Sequence, residues 1–233
     1  MISKLVQKLK KKRKIKVLEN LFTAQKVRDL ETIIGSKINN KTFYVQALVH
    51  RSYIEGSNQP SISNERLEFL GDSVLNLAVA EFLYNYFPEK DEGFLTKVRA
   101  RVVNRTALAR AATDINLGGF ILIGKNLSQS FKVGSKTVLA DALEALIGAI
   151  YLDSGIKEAK SFIDRVLIQP TTSDDEFLID ENFKSQLLEY VQANKMSNPS
   201  YVVVDEEGPQ HKRIFTVKVE IDGSEYGVGQ GGN

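Results

Sequence analysis

The stretch NERLEFLGDSVLNLAVAEFLY, Asn64 to Tyr84, sets Glu65, Glu68 and Asp72 into a run that otherwise reads as a buried helix. Spacings of three and four residues place these acids on one helical face, within a side chain's reach of each other. Leu67, Phe69, Leu70, Val74, Leu75 and Leu77 leave little arc for solvent. A charge in such a place is costly unless something pairs with it. Ser63 and Asn64 are good caps and the acids suit a helix N-terminus, so the helix is expected to start there and run to Tyr86, before Pro88.

A second acid pair, Asp141 and Glu144, sits three residues apart in LADALEALIGAIYLDSG, too apolar a segment for a surface helix. Two buried helices with acids at one address are expected to meet around a cation. Without one, the clustered carboxylates would raise their pKa values until protons replaced the missing positive charge. The chain has no cysteine and two histidines, His50 and His211, so the ion must be held mainly by oxygen. Such a donor set suits Mg²⁺, with Mn²⁺ able to substitute, and Mg²⁺ suits phosphate-ester chemistry through activation of water and stabilisation of a leaving oxygen. Glu-x-x-Glu pairs also lie on solvated helix faces, and helical nucleotide pyrophosphohydrolases use similar arrangements. Spacing alone therefore does not name the substrate.

Composition bounds the rest. The 233 residues, 42% hydrophobic and 26% charged, suit one large globular domain or two small ones. Net charge is +2, yet residues 1–16 carry eight Lys or Arg and no acid, which leaves −6 for the other 217. This basic arm is not a secretory signal, and no run approaches the roughly 18 apolar residues of a membrane span. A cytoplasmic protein without a membrane contact is expected. The arm reads either as a solvated tail or as a segment touching RNA or a membrane surface.

From residue 17 to 168 helical periodicity dominates, broken by polar loops at Gly35 to Thr42, Glu55 to Asn64 and Gly124 to Lys136. IQPTTSDDEFLIDENF interrupts the apolar rhythm, and a linker is placed at 169–180. In the second domain, 181–233, a helix over Asn182 to Asn194 turns Phe183, Leu187, Leu188 and Val191 to one side. Then the period becomes two: Phe215, Val217, Val219 and Ile221 alternate with Thr216, Lys218, Glu220 and Asp222, as in a half-buried strand. SYVVVDEE supplies another strand, and Asp222-Gly223 a tight hairpin into a third at Ser224 to Gly229.

NERLEFLGDSVL resembles the diagnostic stretch of the bacterial ribonuclease III family, and HRSY, EGFLTKVRARVVN and LADALEALIGAIYLDSG resemble its companion segments, in the family's order. The resemblance covers nearly the whole chain. It implies an all-α endonuclease domain followed by an α+β double-stranded RNA-binding domain of a helix and a three-stranded antiparallel sheet. The implied enzyme is a homodimer that cuts both strands of duplex RNA by Mg²⁺-dependent hydrolysis. It would leave 5′-phosphate and 3′-hydroxyl ends with a stagger, and ribosomal RNA precursors would be among its substrates. The alternative is a protein that holds duplex RNA without cutting it.

By position, Glu68, Asp72, Asp141 and Glu144 match the family's metal-binding carboxylates, with Asp72 and Glu144 the catalytic pair. Glu65 and Glu92 match further acids near the cleft. Phe69 resembles an aromatic that plugs a socket on the partner subunit, the alternative being a core phenylalanine. In FKSQLLEYVQ, Gln186 and Glu189 would face an RNA minor groove, and His211 and Lys212 of GPQHKRIFTVKV would reach the next. His50, in ALVHRSY, reads as a structural hydrogen-bonding residue. The family pattern continues into a second helix rich in lysine, whereas this sequence stops at GVGQGGN; the sheet face of Phe215, Val217 and Val219 is then expected to be partly exposed.

Overall fold

The computed structural model describes residues 18–20, 22–54, 62–124, 135–172, 183–210 and 212–232. The basic arm, most of the loops before Asn64 and before Ser135, most of the expected linker, and His211 lie outside them. The chain divides into two compact units, 1–178 and 179–233.

The first unit is helical. Its helices are α1 (Ala24–Ile34), α2 (Lys41–Ala47), α3 (Glu65–Tyr86), α4 (Glu92–Val102), α5 (Arg105–Asp114), α6 (Lys136–Ser154), α7 (Ile156–Ile163) and α8 (Gln169–Thr172). Local chemistry sets most of their starts. Thr23, Asn40, Asp91, Asn104 and Ser135 each accept a backbone N–H of the first turn on a side-chain oxygen. Gly35 closes α1 in the left-handed conformation, φ 76°.

The core is built on α3 and α6. Buried Leu67, Val74, Leu75, Ala78, Val79 and Leu83 recur along α3 at helical spacing, while α6 is apolar nearly all round and lies at the centre. The two helices meet at glycines. A Cβ on Gly71 would lie 1.7 Å from the Glu144 carbonyl oxygen, and one on Gly148 would lie 2.4 Å from that of Leu67. Any side chain at either position would force the backbones apart, so α3 and α6 cross in direct main-chain contact.

Several expectations are corrected. α3 spans the anticipated residues, but Asn64 caps nothing with its side chain: it is helical, at φ −67°, and buried. Phe69 and Leu77, read as part of the buried face, are 78% and 54% exposed, because the neighbouring helices cover only part of the helix's circumference. The first four residues of the expected linker, 169–172, are helical. A π turn, Asp164–Ile168, runs straight into α8, where the hydroxyls of Thr171 and Thr172 donate to the carbonyls of Leu167 and Ile168. Pro170 does not stop the helix: its missing N–H falls just after the π turn, where the backbone already departs from the regular i→i−4 pattern.

The second unit holds α9 (Phe183–Ala193) and the antiparallel sheet β1 (Ser200–Glu207), β2 (Ile214–Ile221) and β3 (Ser224–Gly232), in the order β1-β2-β3. Asp222 at φ 51° and Gly223 at φ 77° make the β2–β3 turn with both central residues left-handed, which matches strand twist. β3 runs three residues beyond the expected end. The alternation read in β2 does not appear as alternating burial. Thr216, Lys218 and Glu220 are as half-buried as Phe215, Val217 and Val219, since Lys218 pairs with Glu220 and Gln230 covers Thr216, and only Ile221 is buried. On α9 Val191 is buried but Phe183 is 71% exposed, outside the stripe assigned to it.

Gly71→Ala should destabilise the first unit by about 3 kcal/mol, at the upper end of overpacking costs, because the clash is with backbone and cannot relax through a rotamer. Urea unfolding followed by far-ultraviolet circular dichroism measures this; a Gly71→Ala protein as stable as the parent would contradict the main-chain contact.

Candidate metal centre

Glycine contact decides where the acids go. Glu68 lies one turn before Gly71 on α3, and Glu144 one turn before Gly148 on α6. Carboxylate oxygens of Glu68, Asp141 and Glu144 all lie within 4.8 Å of one another, and the three side chains are half-buried. Opposite ligands of a Mg²⁺ shell span about 4.2 Å, so modest closure would bring the three oxygens onto one ion. Three half-buried carboxylates offer only hard oxygen donors, as such an ion requires.

The electrostatics show the cost. Glu68 is pushed up from 4.5 to about 7, first by burial and then by the charges of Asp141 and Glu65. Glu144 is pushed up to about 7 by burial, then by Asp72, Glu68 and Asp141. Asp141 is raised by burial, while Arg105 and Arg51, and His50 when its ring is protonated, draw it back. Among the described residues Arg105, at the start of α5, is the one cation that eases all three. No spacing in VVNRTALAR signals that role, because it depends on how α5 packs against α6.

The remaining expected site residues are placed as follows. Asp72 is exposed and outside the trio; its carboxylate accepts from Asn76 Nδ2 at 2.8 Å, and its charge is the first of those raising Glu144. Glu65 is exposed, accepts from Ser63 Oγ at 2.7 Å and faces Arg51 at 3.8 Å. Glu92 opens α4 and accepts from Thr96 Oγ1 at 2.8 Å, apart from the trio. Phe69 projects into solvent, which removes the core alternative. In the second unit Gln186 and Glu189 are exposed one turn apart on α9, Lys212 is exposed, and His211 lies outside the described residues.

The family model described as Ribonuclease-III-like matches residues 40–171, more than half the chain. The chain belongs to the ribonuclease III family. A double-stranded RNA binding motif matches residues 183–233. Ribonuclease 3 of Chlorobium luteolum is 40% identical over 86% of this chain and 73% of its own length. Ribonuclease 3 of Syntrophomonas wolfei is 46% identical over 79% of this chain and 78% of its own. The nuclease domain of ribonuclease III from Campylobacter jejuni, described for flexibility in a region involved in dimer formation, superposes with TM-score 0.57. It is 38% identical and covers 61% of this chain and 96% of that one. The chain is thus an endoribonuclease of this family, a helical nuclease domain followed by a double-stranded RNA-binding domain. Among the described residues no helix is long and apolar enough to cross a membrane.

The raised acids give a signed pH dependence. Between about pH 4.5 and 7 the folded ribonuclease III keeps protons on Glu68 and Glu144 that the unfolded chain has lost, so their contribution to stability falls as pH rises through 7. In EDTA, the Tm should drop more between pH 5 and 8 for the parent than for Glu68→Gln. Added Mn²⁺ should restore the parent's Tm at pH 8 and do little at pH 5; parallel pH profiles in scanning fluorimetry would refute this.

Proposed function

We propose that this ribonuclease III cleaves both strands of double-stranded RNA by Mg²⁺-dependent hydrolysis, leaving 5′-phosphate and 3′-hydroxyl ends and a staggered cut. The observation that carries the reading is the meeting of Glu68, Asp141 and Glu144 within 4.8 Å, in a chain that also holds a double-stranded RNA binding motif. A divalent cation bound there supplies an acidified water and a counter-charge for the leaving 3′-oxygen. Glu68, Asp141 and Glu144 would hold it, and Glu68 and Glu144, raised to about 7, would give up their protons on binding. Asp72, exposed beside Glu144 and steadied by Asn76, orients the attacking water from the solvent side. Glu65 and Glu92 steady the rim.

Each domain adds a distinct task. Gln186 and Glu189 on α9, with His211 and Lys212 from the β1–β2 loop, meet successive minor grooves of A-form RNA and read its shape and 2′-hydroxyls. One active site addresses one strand, so a double cut calls for two subunits. Phe69, exposed on α3 with Leu77 and Tyr84 along the same helix, supports a homodimer that buries this apolar stripe. Ribosomal RNA precursors and other structured transcripts in the cytoplasm are the substrates proposed.

Glu144→Gln should lower cleavage of a duplex RNA by at least about a thousandfold, near 4 kcal/mol in the barrier, with duplex affinity retained. A gel assay with Mg²⁺ and an EDTA control measures the first and filter binding the second. An uncut duplex with the parent protein would leave a non-cleaving RNA-binding protein. Phe69→Ala should shift the protein toward monomer in sedimentation velocity; an unchanged state would remove Phe69 from the interface.

A further inference from the structure

Glu68 occupies the first turn of α3, the part of a helix most prone to fray. Asn64 supplies no side-chain cap there. Something else must hold this turn in register if Glu68 is to meet Asp141 and Glu144. Among the described residues Ser63 and Asn64 are the buried polar residues, and they sit immediately before that turn. Burying polar groups is tolerated when their hydrogen bonds are made, and such networks fix geometry closely.

These bonds lead to one short segment, residues 46–52. Asn64 N donates to the Val49 carbonyl at 2.9 Å, and the Asn64 carbonyl in turn accepts from the amides of Leu67 and Glu68, at 2.8 and 2.9 Å. Gln46 Nε2 donates to the Ser63 carbonyl at 3.2 Å. On its other side the segment is tied to residues 122–124. His50 N donates to the Leu122 carbonyl at 3.0 Å and Leu122 N to the Leu48 carbonyl at 2.7 Å. Gly124 N donates to Ser52 Oγ at 2.9 Å, and a Cβ on Gly124 would lie 2.4 Å from the Ser52 carbonyl oxygen.

His50 and Ser52 close the segment on itself. Ser52 N donates to His50 Nδ1 at 3.2 Å, and Ser52 Oγ lies 2.8 Å from the same nitrogen. A backbone amide has only a donor to offer, so Nδ1 accepts and the ring proton resides on Nε2. Ser52 Oγ, accepting from the Gly124 amide, turns its own hydrogen to Nδ1. One imidazole nitrogen therefore locks the turn that bridges residues 122–124 to the entry of α3.

We propose that His50 and Ser52 are positioning residues for the cation site: their lock holds Val49 against Asn64, and Asn64 holds the amide of Glu68, so that Glu68 stays in register with Asp141 and Glu144. The proposal rests on the reading that these three acids bind a divalent cation. Neither His50 nor Ser52 touches the ion or the RNA in this scheme.

The test uses the full chain, with Mn²⁺ as probe. Binding is followed by the electron paramagnetic resonance signal of free Mn²⁺, alongside half-saturating Mg²⁺ for duplex cleavage, Tm in EDTA and duplex affinity in EDTA. Ser52→Ala and His50→Leu should each weaken Mn²⁺ binding and raise half-saturating Mg²⁺ by about tenfold, the scale of lost outer-shell support, with duplex affinity unchanged. His50→Asn, which can offer an acceptor to Ser52, should return Mn²⁺ affinity to within about threefold of the parent. If His50→Leu does not fold, Ser52→Ala, which removes one oxygen, decides. Variants that bind Mn²⁺ like the parent overturn the proposal, as does a lowered Tm with unchanged Mn²⁺ affinity, or His50→Asn restoring Tm but not affinity. If the parent itself holds no Mn²⁺, the cation reading fails and the proposal with it; if the parent binds and the variants bind equally, only the proposal fails.

Discussion

Gly71 and Gly148 let two helix backbones touch, and the rest of the nuclease domain is arranged around that contact. With a side chain at either position, α3 and α6 would separate by the width of a methyl group or more. That separation would carry Glu68 away from Glu144, because each acid lies one turn from its glycine. Close packing and catalytic geometry are therefore one constraint here. The apolar stripe of α3 and the almost wholly apolar α6 supply the cohesion that keeps the helices pressed together, and the glycines determine how near they come.

The same contact creates an electrostatic conflict. Hydrophobic burial drives together helices whose acids repel one another and have partly lost their water. Proteins meet such a conflict by protonation, by a fixed counter-charge or by a bound cation. The first two answers bear on this site. Carboxyl groups raised to about 7 take protons more readily, and Arg105 eases the trio without neutralising it. The residual deficit of positive charge leaves the three acids suited to the divalent ion proposed for them. A site stabilised fully by its own residues would have less reason to bind one.

The second unit obeys different physics. Its sheet and helix bury little: Val191 and Ile221 are the buried apolar residues of that unit among those described. A Lys184 ammonium 4.7 Å from the centre of the Tyr201 ring helps to tie α9 to β1. Such a module needs a rigid surface matched to the spacing of A-form grooves, which hydrogen-bonded strands and a short helix provide with a small core. The nuclease domain instead has depth: its apolar core carries Glu68, Asp141 and Glu144 half out of water.

Much of this was legible in the sequence. The three-and-four spacing of the acids on α3, the second pair in α6, the switch to period two and the Asp-Gly turn each reflect local physics, in which a residue's neighbours lie within a few positions along the chain. Less was legible where the deciding partner is distant. The exposure of Phe69, the placing of Asp72 outside the trio and the even burial of β2 depend on what packs opposite. So do the helical run through Pro170 and the influence of Arg105. Local sequence by itself determined which residues are acidic, apolar or turn-forming, and hence which chemistry the chain could support. Only the tertiary structure decided that Glu68, Asp141 and Glu144 converge, because convergence depends on two helices meeting at a pair of glycines more than seventy residues apart in the chain.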